Sequence, residues 1–242
     1  MDKNLIKQRF SNNLKKYNEN AKIQKQMAEK LISFLTDNKY DSILELGCGT
    51  GLLTQLANDK LWYKKYTAID IVPDCQKYIN KINSNIEFIA DDVEEFIKSD
   101  DKKYDLIISN ASMQWLENLP QFVEKLILKL NTNGKLVFST FGKENFREIY
   151  FVLGKTLKYY SLSELKTIFK EYSPIIEEEV RIIAFKTPKD VLKHIKNTGV
   201  NAISSENWTK KDLVSFEKEY NVLCANRPTL TYNPMYILIN IK

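Results

Sequence analysis

The chain has 242 residues, 43% of them hydrophobic and 28% charged, enough for one large α/β domain with a full core and unlike a disordered protein. A net charge of +5 spread among 31 acids is too mild to imply nucleic acid as a partner. Cys48, Cys75 and Cys224 show neither C-x-x-C pairing nor histidine partners, so no metal centre or disulfide framework is expected. No signal core or membrane-length apolar run stands out, and the chain reads as a cytoplasmic protein.

In chain order, residues from about Asn4 to Leu35 carry a helical pattern with Phe10, Leu14, Tyr17, Ala21, Met27, Ala28, Leu31 and Ile32 inward. A helix ahead of the first strand can fold over a ligand, and Tyr17 is placed to close the site. The segment Ile43 to Gly51 then reads Ile-Leu-Glu-Leu-Gly-Cys-Gly-Thr-Gly. This is a buried strand turning tightly into a helix, with glycines that accept positive φ and let backbone N–H groups approach a ligand. Its G-x-G-x-G spacing departs from the dinucleotide G-x-G-x-x-G, because Leu52 stands at the third glycine's place. Glu45, two residues before Gly47, is positioned to meet an ammonium group.

A helix from Leu52 to about Lys60 leads to a strand, Tyr66 to Ile69, ending in Asp70, nineteen residues after Gly51. An acid there suits two ribose hydroxyls. Pro73 to Ile82 reads as a helix and Ile86 to Ala90 as a strand followed by Asp91, Asp92 and Val93. Tyr104 to Ser109 is a central parallel strand, and the loop from Asn110 to Leu116 leaves its carboxyl end, where doubly wound sheets build their sites. Asn110 can touch cofactor and substrate there, and Trp115 can form a wall.

A helix from Leu119 to Leu130, a stop at Asn131 to Gly134 and a strand from Lys135 to Thr140 complete the alternating half. Beyond Phe141 come helices at Glu144 to Tyr160 and Ser163 to Lys170, then a strand from Glu177 to Phe185. Helices starting at Thr187 and Thr209 and a last strand, Thr231 to Ile241, follow. The expected architecture is one α/β domain with a Rossmann-like, doubly wound, mostly parallel seven-stranded sheet. It divides into a helical cover at 1–35, a cofactor core at 41–140, a substrate lid at 141–230 and a final strand at 231–242.

The Ile43 to Gly51 segment resembles motif I of the class I S-adenosylmethionine (SAM)-dependent methyltransferases. The resemblance implies SAM as cofactor, with Glu45, Gly47, Cys48, Gly49 and Gly51 around its methionine and ribose. It further implies Asp92 and Val93 at the adenine, and Asp70, Ile71 and Asn110 are counted with them as cofactor-binding residues. Asp92 fits better than Asp91, because the family's Asp-apolar-Glu run continues through Glu94.

A narrower resemblance rests on several segments in order: Lys7 to Phe10, Tyr17 to Ala21 with Gln24 to Ala28, and Ile107 to Ala111 with Gln114 to Leu116. Phe138 to Gly142, Phe185 with Thr187, and Thr231 with Tyr232 extend it over nearly the whole chain. Together these are similar to the malonyl-acyl-carrier-protein O-methyltransferases of biotin synthesis. The resemblance implies methylation of the free carboxyl of a malonyl thioester on acyl carrier protein, an acidic partner for Lys155, Lys158, Lys186, Lys189, Lys193 and Lys196. A monomer or weak dimer is expected, with no nucleic acid or membrane partner.

A carboxylate, with a reference pKa of roughly 4, is already a nucleophile near neutral pH. No general base is needed, so His194 reads as structural or surface. Arg147 and Arg181 are candidate orienting cations, and the Tyr17 and Tyr232 hydroxyls are alternative donors. A methyltransferase of another small carboxylic acid or a quinone precursor would share every cofactor residue and remains open at this point.

Overall fold

The structure is a computed structural model that describes residues 2–198 and 208–241, so residues 199–207 of the expected lid lie outside the described residues. Two helices, α1 (Lys3–Asn20) and α2 (Lys22–Ser33), precede the first strand. The alternating half follows as β1 (Lys39–Leu46), α3 (Leu52–Lys60), β2 (Trp62–Asp70), α4 (Gln76–Ile82), β3 (Glu87–Ala90) and α5 (Val93–Ser99). It continues through β4 (Tyr104–Ser109), α6 (Leu119–Leu128) and β5 (Leu130–Phe141). The remainder comprises α7 (Arg147–Leu153), α8 (Leu162–Ile168), β6 (Ile175–Glu178), β7 (Arg181–Ala184), α9 (Pro188–Asn197), α10 (Lys210–Leu223), β8 (Thr229–Tyr232) and β9 (Pro234–Asn240).

Seven strands form one sheet in the order β3-β2-β1-β4-β5-β9-β6, and β7 pairs with β8 in a separate antiparallel pair. The first five are mutually parallel, while β9 runs antiparallel between β5 and β6. Parallel neighbours bring their carboxyl ends to one edge: Leu46 aligns with Ile69, and Asp70 with Ala90. The order reverses between β1 and β4, which opens the crevice where such folds bind ligands. Helices cover both faces, so Ile43, Leu44 and Leu46 of β1 are all buried, as a central parallel strand requires.

Five elements differ from the sequence expectation. The expected first helix breaks at the buried Ala21, whose backbone leaves helical geometry at φ −82°, ψ 42°. That break turns Ile23, Met27, Ala28 and Leu31 of α2 into the core. The expected helix from Glu144 shrinks to α7 because Gly154 ends it in the left-handed conformation at φ 65°. Asn131 to Gly134 lie within β5 rather than stopping ahead of it.

The strands expected at 177–185 and 231–241 each split in two, and one residue explains both. Buried Asn233 sits between β8 and β9 and donates its amide to the Glu178 carboxylate (3.1 Å) and the Glu179 carbonyl (2.9 Å). Asn233 thus pins the two breaks to each other, sending β6 and β9 into the large sheet and β7 and β8 away from it.

Among the described residues no helix is long and apolar enough to cross a membrane, and no group of His, Cys, Asp or Glu is arranged to hold a metal.

Candidate active site

The loop after β1 is shaped by its glycines. Gly47, Gly49 and Gly51 all take positive φ (69°, 54° and 83°), a region where side chains are strained. The N–H groups of Gly47 and Cys48 both donate to the Ile69 carbonyl (2.8 and 3.0 Å), which folds the loop back over the end of β2. A Cβ at Gly47 would stand 2.5 Å from Ser112 Oγ, so bare backbone is required where this loop meets the loop after β4. Gly51 caps α3 behind the loop, where a Cβ would collide with Ile82; it shapes the turn without lining the cavity.

This loop floors a cavity of about 1160 Å³, counted to its open mouth. Glu45, Gly47, Cys48 and Gly49 line it from β1 and the turn, Asp70 and Ile71 from the end of β2, and Asp92 and Val93 from the end of β3. The structure therefore brings together every expected cofactor residue except Gly51. Asn110 and Trp115 line the β4 side, and Tyr17 and Phe10 close it from the cover.

Each acid is held by specific donors. Asp70 accepts the Gly49 N–H at 2.8 Å on one oxygen and the Val72 N–H at 2.9 Å on the other. The Cys75 thiol also donates to this carboxylate, which keeps room for one further donor. Burial pushes the Asp70 carboxyl above the usual carboxylate range, against the pull of the Val72 and Gly49 amides. Glu45 Oε2 accepts the hydroxyls of Thr54 (2.7 Å) and Tyr66 (2.6 Å), and burial raises its pKa to about 7. Asp92 caps α5 through the Glu94 N–H (2.8 Å), and its other oxygen meets Lys3 Nζ at 2.9 Å.

At the end of β4 the Asn110 amide donates to the Gln24 backbone carbonyl (2.9 Å), while its carbonyl accepts the Ser139 hydroxyl (2.8 Å). This ties β4, β5 and α2 at one point. Ala111 follows at φ 51°, and its carbonyl accepts the Gln114 amide at 2.6 Å.

Two comparisons bear on this geometry. The profile of a methyltransferase domain matches residues 17–173. Among curated relatives, the malonyl-[acyl-carrier protein] O-methyltransferase of Calditerrivibrio nitroreducens is 36% identical over 230 residues, covering 93% of this chain and 91% of the relative. The protein of the same name from Haemophilus influenzae is 32% identical over 247 residues, covering 98% and 94%.

The chain belongs to the malonyl-[acyl-carrier protein] O-methyltransferase family.

Solved structures similar to this family member confirm the fold. YcgJ of Bacillus subtilis superposes with a TM-score of 0.63 at 10% identity, covering 90% of this chain and 98% of that one. The N-methyltransferase NodS of Bradyrhizobium japonicum, solved with S-adenosyl-L-homocysteine, gives 0.52 at 16% identity, covering 89% and 86%.

Three expected acceptor-side residues of this methyltransferase fall away from the cavity. Arg147 is engaged by Glu144 at 3.1 Å and approached by Glu148 at 3.9 Å on an exposed face of α7. Arg181 is held by Glu179 at 2.6 Å and by Gln26. Tyr232 is fully buried behind the wall, packed on Phe141 and Phe146, with its hydroxyl 2.8 Å from His194 Nε2. Burial lowers the His194 pKa, and the ring lies outside the cavity lining as a structural partner of Tyr232.

A second cavity, of about 300 Å³, shares Gln114, Leu116 and Phe141 with the first. Met113, Leu119, Thr140, Tyr160, Glu117 and Lys158 complete it, with Lys158 Nζ over the Tyr160 ring at 5.3 Å. Lys158 thus lines the cavity adjoining the main one, which Arg147 and Arg181 do not. Sequence reasoning gave Lys3, Gln24, Gln114 and Thr198 no role, although all four line the main cavity. For Gln24 a signal existed: it shares the face of Ala28 and Leu31 on α2, a polar residue on an apolar stripe.

Proposed function

We propose that this chain transfers the methyl group of S-adenosylmethionine to the free carboxyl of a malonyl thioester carried on acyl carrier protein, the first step toward a pimeloyl ester for biotin. The observation that carries this reading is near-full-length similarity to proteins of that name, spanning the cofactor half and the C-terminal half alike. The cavity supports it with a glycine floor that leaves no room for a Cβ at Gly47 and with acids at the ends of β1, β2 and β3.

In this reading Asp70 takes the ribose hydroxyls, Asp92 with Val93 takes the adenine, and the loop from Gly47 to Gly49 lies against the methionine. Bound there, the cofactor supplies an electrophilic methyl on a sulfonium. The acceptor carboxylate is ionised near neutral pH, and the residues need only align it and exclude water. Such alignment is worth roughly 7–11 kcal/mol of barrier in well-oriented systems. Tyr17 is suited to orient the carboxylate: burial raises its phenol pKa, so it remains a hydrogen-bond donor. Trp115, Leu116 and Phe141 form an apolar wall, and Lys158 in the adjoining cavity offers a positive charge to the anionic acyl group.

The methyl ester hides a charge that is costly to bury in the apolar channel of an acyl-extending enzyme. Mass spectrometry of malonyl-acyl carrier protein after incubation with SAM tests the reading. One added methyl is expected on the malonyl group. Methylation of free dicarboxylates in preference to the thioester would overturn it.

A further inference from the structure

Two buried side-chain oxygens lack a hydrogen-bond partner among the described residues, Gln24 Oε1 and Gln114 Oε1. Both residues line the cofactor cavity and are only 3% and 8% exposed. They come from different elements, yet consecutive residues at the end of β4 bind them: Asn110 to the Gln24 backbone and Ala111 to the Gln114 side chain. The Gln114 N–H to the Ala111 carbonyl also fixes which end of that amide is the free acceptor. A buried acceptor without a donor is destabilising, so a pair around one cavity calls for a ligand that brings donors.

We propose that the side-chain carbonyls of Gln24 and Gln114 together accept hydrogen bonds from the α-ammonium of the cofactor, an inference that rests on the cofactor reading above. Asp70 and Asp92 stand at the ends of β2 and β3, on one side of β1, and suit the nucleoside. Gln24 and Gln114 gather at β4, on the other side of β1, where the amino-acid end falls. An ammonium brings three donors, whereas an ionised acceptor carboxylate brings none. The same carbonyls that hold the ammonium repel the acceptor carboxylate from that position and so separate the two substrates. Glu45 Oε2 already accepts two hydroxyls, which leaves that carboxylate only its Oε1 to add to the pair of carbonyls.

Calorimetry of the full chain with S-adenosylhomocysteine and with its analogue lacking the α-amino group tests the assignment in Gln24→Met and Gln114→Met. Each variant is expected to bind S-adenosylhomocysteine about tenfold or more weakly, the scale of a hydrogen bond to a charged group, and the analogue within about twofold of wild type. Gln24→Met removes the orphan acceptor together with an amide NH2 for which the structure records no hydrogen bond among the described residues, so its ligand-free Tm stays at or above the wild-type value while the ligand-induced rise shrinks. Equal losses for both ligands, or none, overturn the assignment. A raised KM for the malonyl thioester with unchanged S-adenosylhomocysteine affinity also overturns it, placing the carbonyls on the acceptor. A wild-type protein that binds neither ligand overturns the cofactor reading and this assignment with it, whereas wild-type binding with unaltered variants overturns the glutamines alone.

Discussion

Lys3 Nζ lies 2.9 Å from Asp92 Oδ2 and 2.7 Å from Glu94 Oε2, fastening the first turn of α1 to the start of α5 at the rim of the cofactor cavity. The carboxylate proposed above to meet the adenine therefore also holds the cover down. A part-exposed ion pair of this kind contributes about 1 kcal/mol or less, a factor of about five in a rate. Lys3→Gln is expected to speed both association and dissociation of S-adenosylhomocysteine by about two- to fivefold, with affinity nearly unchanged. Stopped-flow fluorescence reads both rates, and unchanged rates would uncouple the cover from cofactor exchange.

Tyr17 offers a phenol to the cavity from the cover, packed edge-on against Phe10 at 5.0 Å. Tyr17→Phe keeps that packing and removes one donor to an anion, worth about 1.5–3 kcal/mol. The expected result is a kcat at least tenfold lower with S-adenosylhomocysteine affinity within about threefold of wild type. Normal turnover would remove the hydroxyl from the reaction.

Glu45 makes the ligand-free protein less stable as pH rises. Burial raises its carboxyl pKa from 4.5 to about 7, so the folded chain keeps a proton that the unfolded chain has lost. Its stabilising contribution is complete below pH 4.5, falls between pH 4.5 and 7 and is flat above. Glu45→Gln removes that slope, and urea unfolding should show the variant gaining about 2–3 kcal/mol relative to wild type between pH 5 and pH 8.

Gly47→Ala combines a left-handed φ of 69° with a Cβ 2.5 Å from Ser112 Oγ. A strained non-glycine residue costs about 1–3 kcal/mol before the collision is counted. A lowered Tm and S-adenosylhomocysteine affinity reduced at least tenfold are expected. Gly47→Ala with Ser112→Gly should recover part of both, because the second change removes the clash but not the strain.

Lys186, Lys189, Lys193 and Lys196 cluster on α9 and the turn before it, and Lys189 is paired with Glu217 at 3.1 Å. An acidic carrier protein would be drawn to such a face, and salt would screen the attraction. Lys193→Glu with Lys196→Glu is expected to raise KM for the carrier-bound substrate severalfold and flatten its salt dependence, with the coenzyme A thioester affected less. Equal effects on both thioesters would move the docking face elsewhere.

The cofactor half was legible because its signals are local. Gly47, Gly49 and Gly51 announce a turn by lacking Cβ atoms, and Glu45, Asp70 and Asp92 each end a short apolar strand whose period and length the sequence displays. Parallel pairing then brings those strand ends together, as the alternation of elements implies.

The acceptor side was not legible in the same way. Arg147 and Arg181 each carry an acid three or two residues before them, Glu144 and Glu179, and the structure shows those acids engaging them away from the cavity, with Gln26 joining Arg181 from 155 residues away. Tyr232 looks like a site residue until Asn233 splits its strand and leaves the hydroxyl facing His194 behind Phe141.

By itself the sequence determined the strand–helix alternation, the glycine turn and the acids at strand ends, because backbone conformation and periodicity are properties of neighbouring residues. Tertiary structure alone decided which polar groups remain unpaired. Whether the buried Gln24 and Gln114 side chains keep free carbonyls depends on everything packed around them, including Asn110, which bonds the Gln24 backbone from 86 residues away. Hydrogen-bond satisfaction is settled only when the whole chain is packed.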